Sequence, residues 1–182
     1  MTLSWRICLH SPNWNTARRW SAWVLICLGN HHRLKVIHTP GHDNDCVCWY
    51  DIVTKTLITG DSIQANGTPT QGIGFYQSLE KYWNTLIKLE NEDIENIICG
   101  HDYDEIGSVI LGSENVKNCL KHCKKIIGTY QTEIEKMIQS EELTADEIAR
   151  RLIDELGCGM PENLFLALYT VNEHLKSVKE NK

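Results

Sequence analysis

The stretch Val36-Ile-His-Thr-Pro-Gly-His42 decides the fold, and Leu57-Ile-Thr-Gly-Asp61 and Ile97-Ile-Cys-Gly-His101 share its design. Each is a short apolar run, typical of a buried strand, that leads through glycine to a side chain able to bind a metal. The carboxyl ends of strands in an α/β protein gather along one edge of the sheet, and glycine there lets the backbone turn sharply. The sequence therefore predicts that two imidazoles and one carboxylate form a site for zinc or iron.

The segments around these stretches predict an α/β unit over residues 34–112. A helix from Phe75 to Leu89 is expected because its apolar residues repeat along one helical face. A loop is expected at 64–74, where glycine and proline are frequent. Short strands complete the unit, the second and third of them forming a hairpin, and we expect them at 34–38, 45–50, 56–59, 96–99 and 108–111.

Residues 113–182 are predicted to form a helical region. Glu114 to Ile138 places its apolar residues on one stripe. Thr144-Ala-Asp-Glu147 is a capping box that opens a second helix, which ends at Gly157. Pro161 begins a third helix. These apolar stripes are typical of core or docking faces.

The first 33 residues are atypical and form a separate segment in this interpretation. They hold four of the six tryptophans, and their apolar positions follow neither the strand period nor the helix period. Trp20 to Leu28, after Arg18 and Arg19, resembles part of an export signal, but no small-residue cleavage site follows it. We therefore do not expect the protein to be exported. We expect the chain to divide into three zones, residues 1–33, 34–112 and 113–182.

Composition and charge narrow the class of protein. The net charge is -6, which argues against a nucleic-acid partner because such binding needs a basic surface. No apolar run reaches the roughly 18 residues that would span a membrane. The eight cysteines are scattered without a C-x-x-C pair, so we expect free thiols and a cytoplasmic location.

The three stretches also resemble a known family. The later motifs of the metallo-β-lactamase-fold hydrolases resemble, in the same order, His38-Thr-Pro-Gly-His42, Leu57-Ile-Thr-Gly-Asp61-Ser62 and Cys99-Gly-His101-Asp102. Asp61 lies 19 residues after His42, and His101 lies 40 residues after Asp61, which also fits that family. The resemblance covers residues 34–111, and the helical region is similar to the C-terminal helices of the β-lactamase-like branch. It implies the C-terminal half of an αββα sandwich followed by an α-helical tail.

The resemblance also implies roles for the three candidate residues. His42 would complete a first zinc site, Asp61 would bridge two zinc ions and serve as the catalytic candidate, and His101 would complete the second site. The family's chemistry is hydrolysis of an ester, thioester, amide or phosphodiester in a small-molecule substrate by a metal-held hydroxide. His38 lies outside the family's ligand set, and we expect a structural role for it.

One departure from the family pattern changes these expectations. The signature H-x-H-x-D-H, which would supply most of the ligands, is absent upstream of His42, where His10 stands alone and His31 and His32 are adjacent. We therefore expect a truncated hydrolase of impaired activity, in which His42, Asp61 and His101 could share a single ion. An uncovered sheet face would favour self-association. The alternative is a non-catalytic remnant or protein-interaction module.

Weaker candidates lie outside the three stretches. Cys46 and Cys48 follow His42 closely, and Cys119 and Cys123 flank His122 on a predicted helix. Each set could contribute to a zinc site, but packing in the core is the expected role. The glycine-rich loop 66–74 lacks the Lys-Ser/Thr ending of a phosphate loop. By analogy with the family, it would border the active site.

Overall fold

The computed structural model describes residues 6–8, 25–29, 32–66, 72–103, 106–158 and 164–180. In those ranges, seven strands form one sheet in which neighbouring strands are also consecutive in the chain. One helix lies between the fifth and sixth strands of the sequence, and three helices follow the seventh strand. The strands are β1 (Arg6–Cys8), β2 (Leu25–Gly29), β3 (His32–His38), β4 (Val47–Asp51), β5 (Thr56–Gly60), β6 (Asn96–Tyr103) and β7 (Gly107–Leu111). The helices are α1 (Leu79–Glu90), α2 (Ser113–Ser140), α3 (Ala145–Leu156) and α4 (Leu164–Glu180).

The direction of the strands places the candidate site. Neighbouring strands are antiparallel except β5 and β6, which are parallel and joined by the crossover helix α1. Strand β3 runs in the same direction as β5, because each is antiparallel to β4. The carboxyl ends of β3, β5 and β6 therefore lie along one edge of the sheet, as the sequence predicts.

The two faces of the sheet differ in what covers them. Leu57, Ile97 and Ile110 are buried in one core with the apolar sides of the helices. On the opposite face, Ile58, Ile98 and Val109 stand directly across from one another on β5, β6 and β7. Their exposed fractions are 39%, 40% and 57%. The outer face of the sheet is therefore apolar and open to solvent in the described part of the chain.

Several predicted elements are confirmed. The hairpin of β4 and β5 forms as expected, and α2 contains the whole predicted helix from Glu114 to Ile138. The capping box of Thr144 and Glu147 is present at the start of α3. That helix ends at Gly157, whose φ of 63° is a left-handed conformation that glycine adopts without strain.

Two predicted boundaries were wrong by four residues each. The helix expected from Phe75 begins only at Leu79, because the Ser78 side chain accepts a hydrogen bond from the Lys81 amide and caps the helix there. Strand β6 does not end at Cys99 but continues to Tyr103, so that His101 lies within the strand. Phe75 is thereby left in a loop beside the candidate site.

Other expectations fall partly or wholly outside the described residues. These include the start of a helix at Pro161, the Trp20–Val24 portion of the signal-like stretch, and the histidines at 10 and 31. No helix in the described ranges combines the length and apolar character needed to cross a membrane. The cysteines whose side chains are described form no disulfide bond, and they are Cys27, Cys46, Cys48, Cys99, Cys119, Cys123 and Cys158.

Candidate metal centre

The three side chains singled out by the sequence meet at the predicted edge of the sheet. Asp61 lies between the two histidines, with its Oδ1 3.1 Å from Nε2 of His101 and its Oδ2 3.8 Å from Nε2 of His42. The carboxylate and His101 are open to solvent, while His42 is half-buried. Water and a small molecule can therefore reach the group.

The turn after β3 fixes His42 through the glycine that precedes it. Gly41 has a φ of 148°, and a Cβ built on it would lie 2.5 Å from the Cα of Tyr82 in α1. Its carbonyl accepts hydrogen bonds from the amides of Gln77 (2.9 Å) and Ser78 (3.1 Å). Only glycine fits this close approach, and the turn is therefore held against the start of α1.

Asp61 depends on a second glycine on the neighbouring strand. A Cβ at Gly100 would lie 2.8 Å from Oδ1 of Asp61 and 2.9 Å from the backbone carbon of Gly60. Gly60 itself has a φ of 51°, in the left-handed region, which turns the chain as β5 ends. The missing side chain at Gly100 is what lets the carboxylate lie beside His101.

The orientation of His42 is set by a loop carbonyl. Its Nδ1 lies 3.1 Å from the carbonyl oxygen of Phe75, and the two rings meet edge to face with centroids 4.7 Å apart. A carbonyl oxygen only accepts, so Nδ1 carries the proton of the neutral ring and Nε2 presents its lone pair. That lone pair faces a carboxylate oxygen, which is also an acceptor. Two acceptors turned toward one another are typical of a site for a cation.

The donor chemistry fits zinc. Two imidazole nitrogens and a carboxylate are ligands that zinc takes, and a histidine ligand commonly donates its other ring nitrogen to a backbone carbonyl, as His42 does. The geometry consists of two contacts between an imidazole and the carboxylate of Asp61, which both rings share. In the described ranges, no three or more His, Cys, Asp and Glu side chains close around a point as the ligands of an ion would.

The cysteine candidates lie in the core or at its border. Cys48 is buried, with its thiol 3.4 Å from the Thr39 hydroxyl, and burial raises its pKa. Cys46 is half-buried, and burial raises the pKa of its thiol as well. Cys119 and Cys123 are buried on the packed face of α2. These contacts support packing as the role of Cys48, Cys119 and Cys123.

His38 has a contact that explains its place in the sequence pattern. Its Nε2 donates a hydrogen bond of 2.8 Å to the carbonyl of Asn44 and so ties the two ends of the turn that carries His42. This bond supports the structural role expected for His38.

Two residues of the site were missed by sequence reasoning. Phe75 was assigned to a helix, and Gln64 was only one position in a predicted loop. Gln64 is buried between Ile63 and Ala65, which are also buried. A polar amide in an apolar setting was the one signal that could have pointed to it, because buried polar groups are hydrogen-bonded.

Comparison with known proteins agrees with the motif pattern. Residues 25–101 match the family model of the metallo-beta-lactamase superfamily. Among curated proteins, the chain is similar to a hydroxyacylglutathione hydrolase from Pelagibacter ubique (strain HTCC1062), with 25% identity over 150 residues that cover 81% of this chain and 56% of that protein.

Solved structures show the same fold. A beta-lactamase domain protein from Burkholderia ambifaria aligns over 92% of this chain and 48% of its own, with a TM-score of 0.60 and 14% identity. A metallo-beta-lactamase family protein from Thermus thermophilus aligns over 86% of this chain and 47% of its own, with a TM-score of 0.57 and 18% identity. The chain spans about half the length of these relatives. The resemblance seen in the sequence and the α/β fold that it implied are both confirmed.

Proposed function

Because residues 25–101 match the metallo-beta-lactamase superfamily, we propose that this chain is a metal-dependent hydrolase whose zinc ligands include His42, Asp61 and His101. The observation that carries the proposal is the carboxylate of Asp61 held between two imidazoles at one edge of the sheet. A catalytic zinc ion commonly has three protein ligands, so these side chains match the ligand number of one ion, and binding would have to draw them around it. The sequence has no H-x-H-x-D-H, and a second ion would need further ligands.

Each side chain has a distinct task in this proposal. His42 offers Nε2 because Nδ1 donates to the Phe75 carbonyl, and His101 offers Nε2 from within β6. Asp61 lies in contact with both rings and would join them into one ligand set. When bound, zinc would supply the acidity that activates water near neutral pH. The exposed side of Asp61 and His101 leaves room for the substrate.

We propose a thioester as the first substrate class to test. The relative from Pelagibacter ubique is named a hydroxyacylglutathione hydrolase, and the acyl group of such a compound is joined to sulfur. Esters, amides and phosphodiesters remain open, since one fold hosts many chemistries. The non-catalytic module predicted as the alternative is not favoured, because the similar curated protein is a hydrolase.

Zinc loading tests the metal site. The purified chain is loaded with zinc, freed of excess metal and analysed for its metal content. We expect about one zinc per chain in the wild type and a loss of binding in Asp61→Asn and His42→Ala, since each removes a ligand. Asp146→Asn is the matched control, because it makes the same substitution at a carboxylate of similar exposure, 49% against 42%, that pairs with Arg150 on α3.

The same variants test the activity. Zinc-dependent hydrolysis of a thioester that disappears in Asp61→Asn and persists in Asp146→Asn would support the proposed function. A wild-type zinc content below about 0.1 per chain would overturn the metal site, as would equal binding by Asp61→Asn and the wild type.

Two finer sequence predictions stay proposals. The lack of a disulfide bond among the described cysteines supports a reducing compartment such as the cytoplasm. The apolar outer face of the sheet, with Ile58, Ile98 and Val109, supports self-association of the chain.

A further inference from the structure

One buried amide joins the two halves of the candidate metal centre. The side chain of Gln64 accepts a 3.0 Å hydrogen bond from the Phe75 amide at Oε1 and donates one of 2.9 Å from Nε2 to the Asp61 carbonyl. Phe75 is the residue whose own carbonyl orients His42. Gln64 is therefore hydrogen-bonded to the backbone of Asp61 and to Phe75, the residue whose carbonyl orients His42.

The orientation of this amide is fixed by its partners. The Phe75 amide can only donate and the Asp61 carbonyl can only accept. If the amide of Gln64 were turned over, donor would face donor and acceptor would face acceptor. Because Gln64 is buried, either mismatch would leave polar groups without a hydrogen-bond partner and away from water, which raises the free energy of the folded chain.

The backbone of Gln64 is itself held in place. The hydroxyl of Tyr82, on α1, accepts a 2.9 Å hydrogen bond from the Gln64 amide and donates one of 2.6 Å to the Gln64 carbonyl. Tyr82 is buried and also packs against Gly41, next to His42. The side chain of Gln64 thus projects from a backbone segment anchored to the core.

The loop on the other side of the bridge is tied to the helical region. The Tyr130 hydroxyl of α2 accepts a 2.8 Å hydrogen bond from the Gly74 amide, and the Thr170 hydroxyl of α4 donates one of 2.9 Å to the Gly74 carbonyl. The Phe75 ring meets the Tyr169 ring edge to face at 5.7 Å. The loop that carries Phe75 is therefore held by two helices, and the Gln64 amide links it to the backbone of Asp61.

We propose that Gln64 is a positioning residue for the site: its amide holds Asp61 in register with the Phe75 carbonyl, which keeps His42 in the tautomer that offers Nε2. The inference rests on the proposed metal role of His42 and Asp61. Without the amide, the N–H of Phe75 loses its acceptor, and the residue whose carbonyl faces Nδ1 of His42 loses one of the two hydrogen bonds that hold its flanking peptide units, the other being that of the Tyr76 amide to the Thr170 hydroxyl. Partners of this kind commonly change metal affinity by roughly 10- to 100-fold.

The test compares the wild type with Gln64→Met, which keeps the length of the side chain and removes both hydrogen bonds. The tautomer of His42 is measured by nitrogen NMR in the metal-free full-length chain, at a pH where the ring is neutral. We expect the Nδ1-protonated form in the wild type and a mixture of tautomers in the variant. Zinc titration of the same two proteins should show affinity about 10- to 100-fold weaker in the variant.

Two further variants separate positioning from general loss of structure. Tyr50→Phe removes a buried hydroxyl that donates to the Asp93 carbonyl away from the site, and it should keep both the tautomer and the zinc affinity. Gln64→Glu retains an acceptor for the Phe75 amide and, in its protonated form, a donor for the Asp61 carbonyl, so that form should restore the wild-type tautomer of His42. A role in packing alone predicts no such rescue.

A folded Gln64→Met with an unchanged tautomer and unchanged zinc affinity would overturn the inference. If that variant fails to fold, hydrogen exchange in the wild type decides. Phe75 lies outside any helix or strand, so protection of its amide requires the Gln64 bond, and exchange as fast as in an exposed loop would overturn the inference. A wild type that binds no zinc would overturn the proposed function, while the tautomer comparison would still decide the role of Gln64.

Discussion

Gly100 shows how a single missing side chain shapes the candidate metal centre. The position lies in β6, between Cys99 and His101, and a position within a strand usually accepts most side chains. Here a Cβ would come within 2.8 Å of Oδ1 of Asp61, closer than such atoms approach in real structures. The contact between Asp61 and His101 therefore requires glycine at this position.

Gly100→Ala is expected to weaken zinc binding at least about tenfold, because the methyl group displaces the carboxylate that contacts both histidines. The measurement is a zinc titration beside a thermal melt. Gly128→Ala is the matched control, since a Cβ there would meet nothing within 4 Å on α2. The control should keep zinc affinity and gain about 0.5–1 kcal/mol of stability from its better helix propensity. Equal zinc affinity in Gly100→Ala and the wild type would contradict the prediction.

At the scale of elements, the buried His174 joins α4 to α2 and to the loop that carries Phe75 and Tyr76. His174 accepts a hydrogen bond from the Tyr76 hydroxyl at Nε2 (2.6 Å) and donates from Nδ1 to Oε1 of Gln131 (2.6 Å). Gln131 in turn donates to Glu135, which fixes its amide orientation. The ring is neutral in this arrangement, and burial lowers the pKa of His174 to about 4.

This histidine makes stability fall in mild acid. The ordinary pKa of about 6.5 applies to the unfolded chain, so between pH 6.5 and 4 the unfolded state binds the proton that the folded state refuses. The free energy of unfolding should therefore decrease by about 3 kcal/mol as the pH falls through that window. His174→Gln should be less stable at pH 7 but lose less stability toward pH 4.

Urea denaturation of both proteins between pH 7.5 and 4.5 checks this prediction. Carboxylates that titrate in the same window are common to both proteins and cancel in the comparison. Parallel stability curves for the wild type and His174→Gln would show that this ring is already protonated, or free to be, in the folded chain.

At the scale of the whole molecule, the outer face of the sheet presents a continuous apolar row. Val36 lies across from Trp49, Trp49 across from Ile58, and Ile58 across from Ile98, which in turn faces Val109. Sheets with one apolar face bury it against another layer. A second copy of the chain, packed through the same face, is the partner that the sequence predicts.

Self-association through this row should weaken about tenfold in Val109→Lys, because a charge placed in an apolar interface loses its hydration. Sedimentation over a range of protein concentrations measures it. Val53→Lys is the control, with the same substitution at a residue of similar exposure, 53% against 57%, in the turn between β4 and β5. A wild type that stays monomeric at high concentration would refute the prediction.

The sequence by itself determined the three strand-and-glycine stretches, the candidate ligands at their ends, and the helices with their caps. These features are local: apolar runs, a capping box at Thr144, and glycine at Gly157 each act over a few residues. The order of the motifs was enough to predict the family and the edge of the sheet where His42, Asp61 and His101 meet.

Only the tertiary structure decided what holds those ligands. The parallel register of β5 and β6 brings Gly100 against Asp61, and the docking of α2 and α4 fixes the loop that carries Phe75. Gln64 connects the two through bonds between residues 3 and 11 positions apart. Such contacts depend on where separate elements come to rest against one another, and no periodicity or local motif in the sequence records that.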